Sequence, residues 1–320
     1  MIPLMILLLI LATLALGVPI AFSLGITAVV FLLIFSDVSM GLIIQQLYQG
    51  ANSFPLLAIP LFILAGSLMN YSGVSKRLIN FALSIIGTVR GGLAYVNVIT
   101  SVFVGAITGT AAAASAAVGQ IMIPSMIEKK YKPGFAAATT SAGSTLGILI
   151  PPSVPMILYG SISGISVANL FLTGIPIGIM VAIGYLIVAY LVSLRQDYII
   201  EEQTFSIKKV YRTFIEAIPA LLVPVVIMGG IMSGIVTPTE SAALAVLTGI
   251  AAGVIYKELT LKKFIEALED GVRNTAVVMF IVATGTILGF AFSSLGIGQQ
   301  MMAPFMNFRM SGKETLFHNQ

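Results

Sequence analysis

Long apolar runs alternate with short polar stretches along most of this chain. A helix needs roughly 20 apolar residues to cross a bilayer, and the pattern predicts such helices near residues 1–16, 19–35, 54–71, 134–165 (interrupted), 168–194, 214–232, 238–256 and 274–294. Two weakly polar stretches, 74–90 and 259–272, carry apolar residues at helical spacing. We predict that these two are amphipathic helices lying along the membrane interface.

One apolar run does not fit a single span. Residues 91–127 contain no Asp, Glu, Lys or Arg, yet Arg90 precedes them and Lys129 and Lys130 follow them. Because cytoplasmic loops collect Lys and Arg, both ends of the run are predicted to be cytoplasmic. The chain must then turn back inside the membrane, where irregular backbone is tolerated only if it lines a cavity or is buried in protein. We therefore predict a re-entrant hairpin.

Composition agrees with a polytopic membrane protein and limits its chemistry. The chain is 58% hydrophobic and 9% charged, with a mean hydropathy of +1.05, whereas soluble domains are about 25% charged. It has no cysteine, and its single histidine, His318, lies in a polar tail. With no paired carboxylates in the spans either, we predict neither an enzyme nor a cofactor. The net charge of +4 does not indicate nucleic acid, because the basic residues flank apolar runs.

The basic residues also predict the topology. If the loops at 74–90, 128–133, 195–213 and 257–273 are cytoplasmic, they hold 14 of the 16 Lys and Arg residues. This arrangement places the N-terminus outside, and it is consistent only if 91–127 is a hairpin.

A weak internal repeat appears at an offset of about 220 residues. Residues 47–73 parallel 268–296, and the spans at 54–71 and 274–294 run in opposite directions, which predicts an inverted repeat. The first repeat (1–213) comprises scaffold helices, an interfacial arm helix, the hairpin, the interrupted helix, a further helix and a cytoplasmic loop, at 1–73, 74–90, 91–127, 134–165, 168–194 and 195–213.

The second repeat, 214–306, is expected to be partial. By symmetry it lacks a hairpin and an interrupted helix of roughly 100 residues, and a polar tail, 307–320, stands in their place. We expect either a shortened product or a reading frame lost near Asn307.

The hairpin tip and the interrupted helix offer oxygen atoms for an ion. At the tip, Gly105 and Gly109 give the backbone flexibility, and Thr108 and Thr110 supply hydroxyl oxygens. In the interrupted helix, prolines remove the donors that would otherwise pair with upstream carbonyls, around Gly143, Ser144, Gly147, Ile150, Pro151 and Pro152.

Together these groups predict a cage of neutral oxygens suited to Na⁺, while half-helix N-termini favour a carboxylate. Proton coupling is disfavoured, because it needs ionisable groups inside the membrane. The alternative is that small residues and proline kinks serve packing only.

A second motif carries an isolated carboxylate. Thr237, Pro238 and Glu240 have the spacing of a capping box with proline at the first helical position. We predict a structural cap for this motif, and a functional carboxylate is the alternative.

These residues resemble a known family, the large membrane subunit of tripartite ATP-independent periplasmic (TRAP) transporters, DctM-like. The resemblance runs from about residue 1 to 306, and its most specific segment is SAGSTLGILIPPSVPMILYG at 141–160. Supporting segments are GAITGTAAAASAAVG, MIPSMIEKKYKPGFAAA and GIVTPTESAA. The resemblance implies an all-α, elevator-type protein of the ion transporter superfamily in the bacterial inner membrane.

The resemblance also implies a Na⁺-driven importer of organic acids, such as C4-dicarboxylates or sugar acids. Its partners would be a small DctQ-like membrane subunit and a periplasmic DctP-like binding protein. By resemblance, Na⁺ is expected at Thr108 and Thr110 and at the carbonyls of Gly147, Ile150 and Pro152. We expect substrate contacts at Gly109, Ser144 and Ser153. The second sodium site of the family needs a further proline-containing break that these residues do not supply.

Two other functions remain open. One is a carboxylate/Na⁺ symporter of the same superfamily that needs no binding protein. The other is a membrane scaffold that binds a partner subunit without transporting.

Overall fold

The computed structural model describes residues 2–87, 89–194 and 206–299. This part of the chain is helical and contains no strand. Its helices are α1 (Ile2–Ala15), α2 (Ile20–Phe35), α3 (Met40–Ala51), α4 (Ala58–Tyr71), α5 (Val74–Ile86), α6 (Gly92–Thr108), α7 (Ala111–Glu128), α8 (Pro133–Ser144), α9 (Leu146–Leu149), α10 (Val154–Ser163), α11 (Val167–Leu194), α12 (Ile207–Met232), α13 (Pro238–Ile255) and α14 (Leu261–Ser294). A 3₁₀ turn at Phe54–Leu57 leads into α4.

Seven helical segments in the described residues are long and apolar enough to cross a bilayer. Three shorter apolar helices, α1, α2 and α6, accompany them. Many large apolar side chains are exposed, including Leu8, Ile183 and Val225, as expected where lipid rather than water surrounds the helices. The predicted all-α polytopic membrane fold is confirmed.

The helices divide into two compact units. Among the described residues, the terminal unit holds those at 2–53 and 276–299, and the central unit holds those between 54 and 275. In the terminal unit, one core cluster brings together buried residues of α2, α3 and α14, namely Ala28, Leu32, Ile43, Ile287 and Ala291. Close approach of α3 and α14 depends on Gly50, where an added Cβ would lie 2.5 Å from Thr286 Oγ1.

In the central unit, α4 packs along α13, and α6, α7 and α8 pack together. The α4 contact buries Phe62, Leu68 and Met69. At its end, the Ser72 hydroxyl donates to the carbonyls of Leu68 (2.6 Å) and Gly249 (3.2 Å). This core holds the hairpin α6–α7 and the interrupted helix α8–α10 in contact.

The predicted arm helix is present as α5, and one arginine joins it to the loop after α13. Arg77 Nη1 donates to Glu258 Oε1 (2.8 Å) and to the carbonyl oxygen of Gly73 (3.1 Å). The guanidinium carbon lies 3.7 Å from the centre of the Tyr256 ring. The three contacts use the charge, the planar fork and the flat face of arginine together.

One predicted element is wrong. The stretch at 259–272 is not a separate interfacial helix, because α14 runs without a break from Leu261 to Ser294. No proline interrupts this stretch. Gly271 lies within α14 and packs against Leu64 of α4, because an added Cβ would lie 3.1 Å from Leu64 Cδ1. The change from amphipathic to apolar sequence therefore occurs within one helix.

One helix was not predicted. α3 (Met40–Ala51) is short and carries three glutamines, so it lacks the apolar run of a span. α12 also begins earlier than predicted, at Ile207. The predicted loop residues 195–205 and the tail 307–320 lie outside the described residues, and the repeat boundaries stay a prediction.

Candidate functional site

The hairpin turns through two residues. α6 ends at Thr108, and Gly109 follows with φ +66°, a left-handed conformation that glycine adopts without steric cost. Its N–H donates to the carbonyl of Gly105 at 2.8 Å. Thr110 is extended, and α7 begins at Ala111. A helical hairpin thus occupies the predicted position, and its depth in the membrane stays a prediction.

Both tip hydroxyls make local hydrogen bonds. Thr108 Oγ1 donates to the carbonyl of Thr110 at 3.3 Å and is nearly buried, with 2% of the residue exposed. Thr110 Oγ1 accepts from the N–H of Ala113 at 3.3 Å and so caps α7. A hydroxyl oxygen has two lone pairs, so both oxygens keep capacity for another ligand.

The interruption after α8 follows from the two prolines. α9 ends at Leu149, residues 150–153 are extended or bent, and α10 begins at Val154. Pro151 and Pro152 have no N–H, so Gly147 and Ile148 lose the donors four residues ahead. The Ser153 hydroxyl replaces one of them by donating to the carbonyl of Ile148 at 2.8 Å.

The carbonyl of Gly147 is left unpaired. The N–H of Ile150 donates to Leu146 instead, at 2.8 Å. No described residue donates to the carbonyls of Gly147, Ile150 or Pro152. Buried carbonyls are normally paired, so these oxygens are available to a cation.

The structure brings the two predicted sets of residues together. An added Cβ on Gly105 would lie 2.5 Å from the Cα of Gly147, so the two helices cross backbone to backbone. At the tip, the carbonyl of Gly109 accepts a hydrogen bond from the N–H of Val154 at 3.1 Å. An added Cβ on Gly147 would lie 3.3 Å from the carbonyl oxygen of Thr110. Each glycine is required here by close approach.

A third glycine, not predicted, completes the packing. An added Cβ on Gly66 of α4 would lie 2.9 Å from the Cα of Thr108. Its only signal in the sequence is the small-residue run Ala65, Gly66, Ser67 within an apolar helix.

The residues predicted to contact substrate lie beside this crossing. Ser144 and Ser153 are buried, and the Ser144 hydroxyl donates to the carbonyl of Thr140 at 2.7 Å. Gly109 faces Pro152, with an added Cβ 3.1 Å from the Pro152 carbonyl oxygen. A role for these residues in substrate binding stays a prediction.

The available ligands are neutral oxygens. Within the residues that the structure describes, no group of three or more His, Cys, Asp or Glu side chains is placed to hold a metal ion. Neutral carbonyls and hydroxyls at a broken helix are the ligands with which transporters coordinate Na⁺.

The isolated carboxylate of Glu240 has a structural role. The Glu240 N–H donates to Thr237 Oγ1 at 3.2 Å, and the Thr237 N–H donates to Glu240 Oε2 at 2.7 Å. This reciprocal pair is a capping box at the start of α13, with Pro238 at the first helical position.

A helical membrane protein in which a hairpin tip meets a proline-broken helix has the architecture of secondary transporters. Comparison with known families narrows this class. The chain belongs to the DctM component family of tripartite ATP-independent periplasmic transporters, whose family model matches residues 7–317.

Three similar proteins support this family assignment. The chain is 37% identical to the sialic acid TRAP transporter large permease protein SiaM of Vibrio cholerae, over 91% of this chain and 68% of SiaM. It is 36% identical to the 2,3-diketo-L-gulonate TRAP transporter large permease protein YiaN of Escherichia coli, over 85% and 64% of the respective chains. It is also 36% identical to the C4-dicarboxylate TRAP transporter large permease protein DctM of Vibrio cholerae, over 89% and 68%. The chain spans about two thirds of the length of these relatives.

Family membership confirms the resemblance seen in the sequence. The chain is a transporter component rather than an enzyme. Family membership and the seven apolar helical segments of the described residues together identify a multi-pass protein of the bacterial inner membrane.

Proposed function

We propose that this chain translocates an organic acid as the large subunit of a Na⁺-driven TRAP importer. The observation that carries the proposal is the crossing of Gly105 and Gly147, which places the hairpin tip beside an unpaired carbonyl of the broken helix. Na⁺ binds there to the hydroxyls of Thr108 and Thr110 and to the carbonyls of Gly147, Ile150 and Pro152.

Sodium fits this site better than a proton. Residues 91–127 and 134–194 contain no Asp, Glu, Lys, Arg or His. A proton relay through the membrane requires such groups, whereas unpaired carbonyls and hydroxyls suit a monovalent cation.

The substrate binds next to the ion. The N-terminus of α10 faces the tip, and a helix N-terminus favours a carboxylate. Gly109, Ser144 and Ser153 are the residues that we propose contact the substrate. The names of the relatives, which refer to sialic acid, diketogulonate and C4-dicarboxylates, support an organic acid. A small membrane subunit and a periplasmic binding protein complete the importer, and the hairpin and broken helix move together as an elevator.

A pair of threonines on one helix tests the ion site. Thr108→Val removes a hydroxyl at the tip and keeps the shape, whereas Thr100→Val does the same on α6 at a buried hydroxyl without a hydrogen-bond partner among the described residues. A Na⁺ concentration of 100 times Kd stabilises a protein by about 2.7 kcal/mol.

We expect the purified chain to show this Na⁺-dependent stabilisation against a choline background. Thr108→Val should lose most of it, and Thr100→Val should retain it. In proteoliposomes with both partner proteins, Na⁺-driven uptake of organic acid should fall with Thr108→Val alone. Equal Na⁺ dependence in the two variants would refute the site.

The same uptake assay separates the other functions. Uptake without the binding protein would favour an independent carboxylate/Na⁺ symporter. Binding of the small subunit with no uptake under any condition would favour a scaffold.

A further inference from the structure

A cavity lies in the central unit, away from the hairpin tip. Its volume is about 440 Å³, and it is bounded by the end of α4, the start of α5, the middle of α7 and Asp270 of α14. Gln120, on its α7 wall, is ten residues beyond Thr110, which corresponds to about 15 Å along the helix. The cavity is therefore distinct from the proposed ion site, and it borders the arm helix on the predicted cytoplasmic side.

One wall of this cavity presents free donors. Lys76 is exposed and makes no ion pair with any residue in the described part of the chain. The side-chain oxygen of Asn70 accepts from the Ser75 hydroxyl at 3.1 Å, which orients the Asn70 amide nitrogen away from that contact. Gln120 is exposed and adds a second amide. A cation flanked by amide donors is suited to a carboxylate.

The opposite wall is acidic. Asp270 accepts a hydrogen bond from the Tyr71 hydroxyl at 2.6 Å through one carboxylate oxygen, and its other oxygen remains an acceptor. Glu266 shares this face of α14, because it lies four residues before Asp270. This wall accepts hydrogen bonds from hydroxyl groups and repels a second carboxylate.

We propose that the cavity binds hydroxylated monocarboxylates of the sugar-acid class. The inference rests on the proposed transport function: the carried acid occupies this cavity, on the predicted cytoplasmic side, as well as the position beside the ion, so the cavity specifies its class. The single carboxylate pairs with Lys76 and the amides, and the hydroxyls donate to Asp270. A dicarboxylate places its second charge against Asp270, and a neutral sugar leaves Lys76 unpaired. The volume lies within the range of small-molecule pockets.

The absence of cysteine from the sequence allows a direct test. Ala116→Cys introduces one thiol into the cavity wall, and its rate of maleimide labelling is measured on the full chain in lipid nanodiscs. At about 90% occupancy, gluconate should slow labelling about tenfold, because only the unoccupied fraction reacts. Succinate and glucose at the same concentration should leave the rate nearly unchanged. Lys208→Cys, exposed outside the cavity, should label at one rate throughout.

Substitutions in the Ala116→Cys background show which side chains recognise the ligand. Lys76→Gln should abolish protection by gluconate, while Lys208→Gln, a matched exposed lysine, should not. Asp270→Asn should allow succinate to protect. Gln120→Ala changes an exposed side chain, so it keeps the fold and should weaken protection.

Four results would overturn the proposal: no protection by gluconate, equal protection by succinate, equal protection by glucose, or protection that survives Lys76→Gln. Labelling does not depend on a Na⁺ gradient. Na⁺-driven uptake by an Ala116→Cys variant whose thiol gluconate does not protect would therefore reject the cavity and leave the transport function standing. Protection of the thiol by gluconate without Na⁺-driven uptake would support the cavity and reject the transport function.

Discussion

Adding one methyl group to Gly105 tests the contact between the hairpin and the broken helix. In Gly105→Ala, the new Cβ would lie 2.5 Å from the Cα and 2.8 Å from the N of Gly147, both backbone atoms. Ordinary van der Waals contact begins near 3.4 Å, so α6 and α9 must separate by about 1 Å. A side chain cannot rotate away to relieve this clash.

The expected change in the free energy of unfolding follows from two opposing effects. Overpacking costs typically 1–3 kcal/mol, and the backbone clash places this variant near 3 kcal/mol. Replacing a helical glycine by alanine stabilises the helix by about 0.5–1 kcal/mol. Gly105→Ala should therefore lower the free energy of unfolding by about 2 kcal/mol. Gly184→Ala in α11 is the matched control, because its added Cβ meets nothing within 4 Å.

The assay must avoid intrinsic tryptophan and thiol dyes, since the chain has no Trp and no Cys. A fluorescent-protein fusion followed by size-exclusion chromatography after heating gives the apparent Tm. Gly105→Ala should melt below Gly184→Ala by roughly 4 °C, and it should also lose Na⁺-dependent stabilisation. If the two variants melt together, α6 and α9 do not cross at this glycine pair.

The remaining predictions use the same stability assay, with uptake measured as well for Glu240→Gln. Arg77→Ala should cost about 2 kcal/mol, because its charged hydrogen bonds are partly buried, with side-chain exposures of 19% for Arg77 and 34% for Glu258. Arg212→Ala, whose exposed pair joins Glu216 within α12, should cost under about 0.5 kcal/mol, and equal costs would contradict the comparison. Thr237→Ala should lower stability by about 1 kcal/mol through loss of the α13 cap. Glu240→Gln should keep both stability and uptake, since Gln also completes a capping box, whereas loss of uptake alone would indicate a functional carboxylate.

Local signals in the sequence predicted the hairpin and the break. The Pro151–Pro152 pair acts within a few residues of the break that it causes, and the charge-free run between Arg90 and Lys129 indicates a turn somewhere within it. The glycines at 105 and 147 were identified as flexible positions near oxygens. Their direct contact was not predicted, because the pairing of two helices depends on the whole packing of the central unit.

The failures have a common physical reason. Polarity predicts neither α3 nor the continuity of α14, because it describes the surroundings of a helix but not where the helix begins or ends. A helix ends at a proline, a suitable cap or a competing contact, and none interrupts α14 near Gly271. Gly66 was missed because its partner, Thr108, lies 42 positions along the sequence.

The hydrogen bond between Gly109 and Val154 bears on how the protein is made. The ribosome completes the tip 45 residues before it adds Val154, which takes about 2–9 s at bacterial rates of roughly 5–20 residues per second. During that time the Gly109 carbonyl has no native partner, and an unpaired carbonyl in hydrocarbon costs several kcal/mol. If the tip lies at the predicted depth inside the membrane, the hairpin reaches that depth only after the broken helix has been synthesised, and until then it waits near water or beside the insertion machinery.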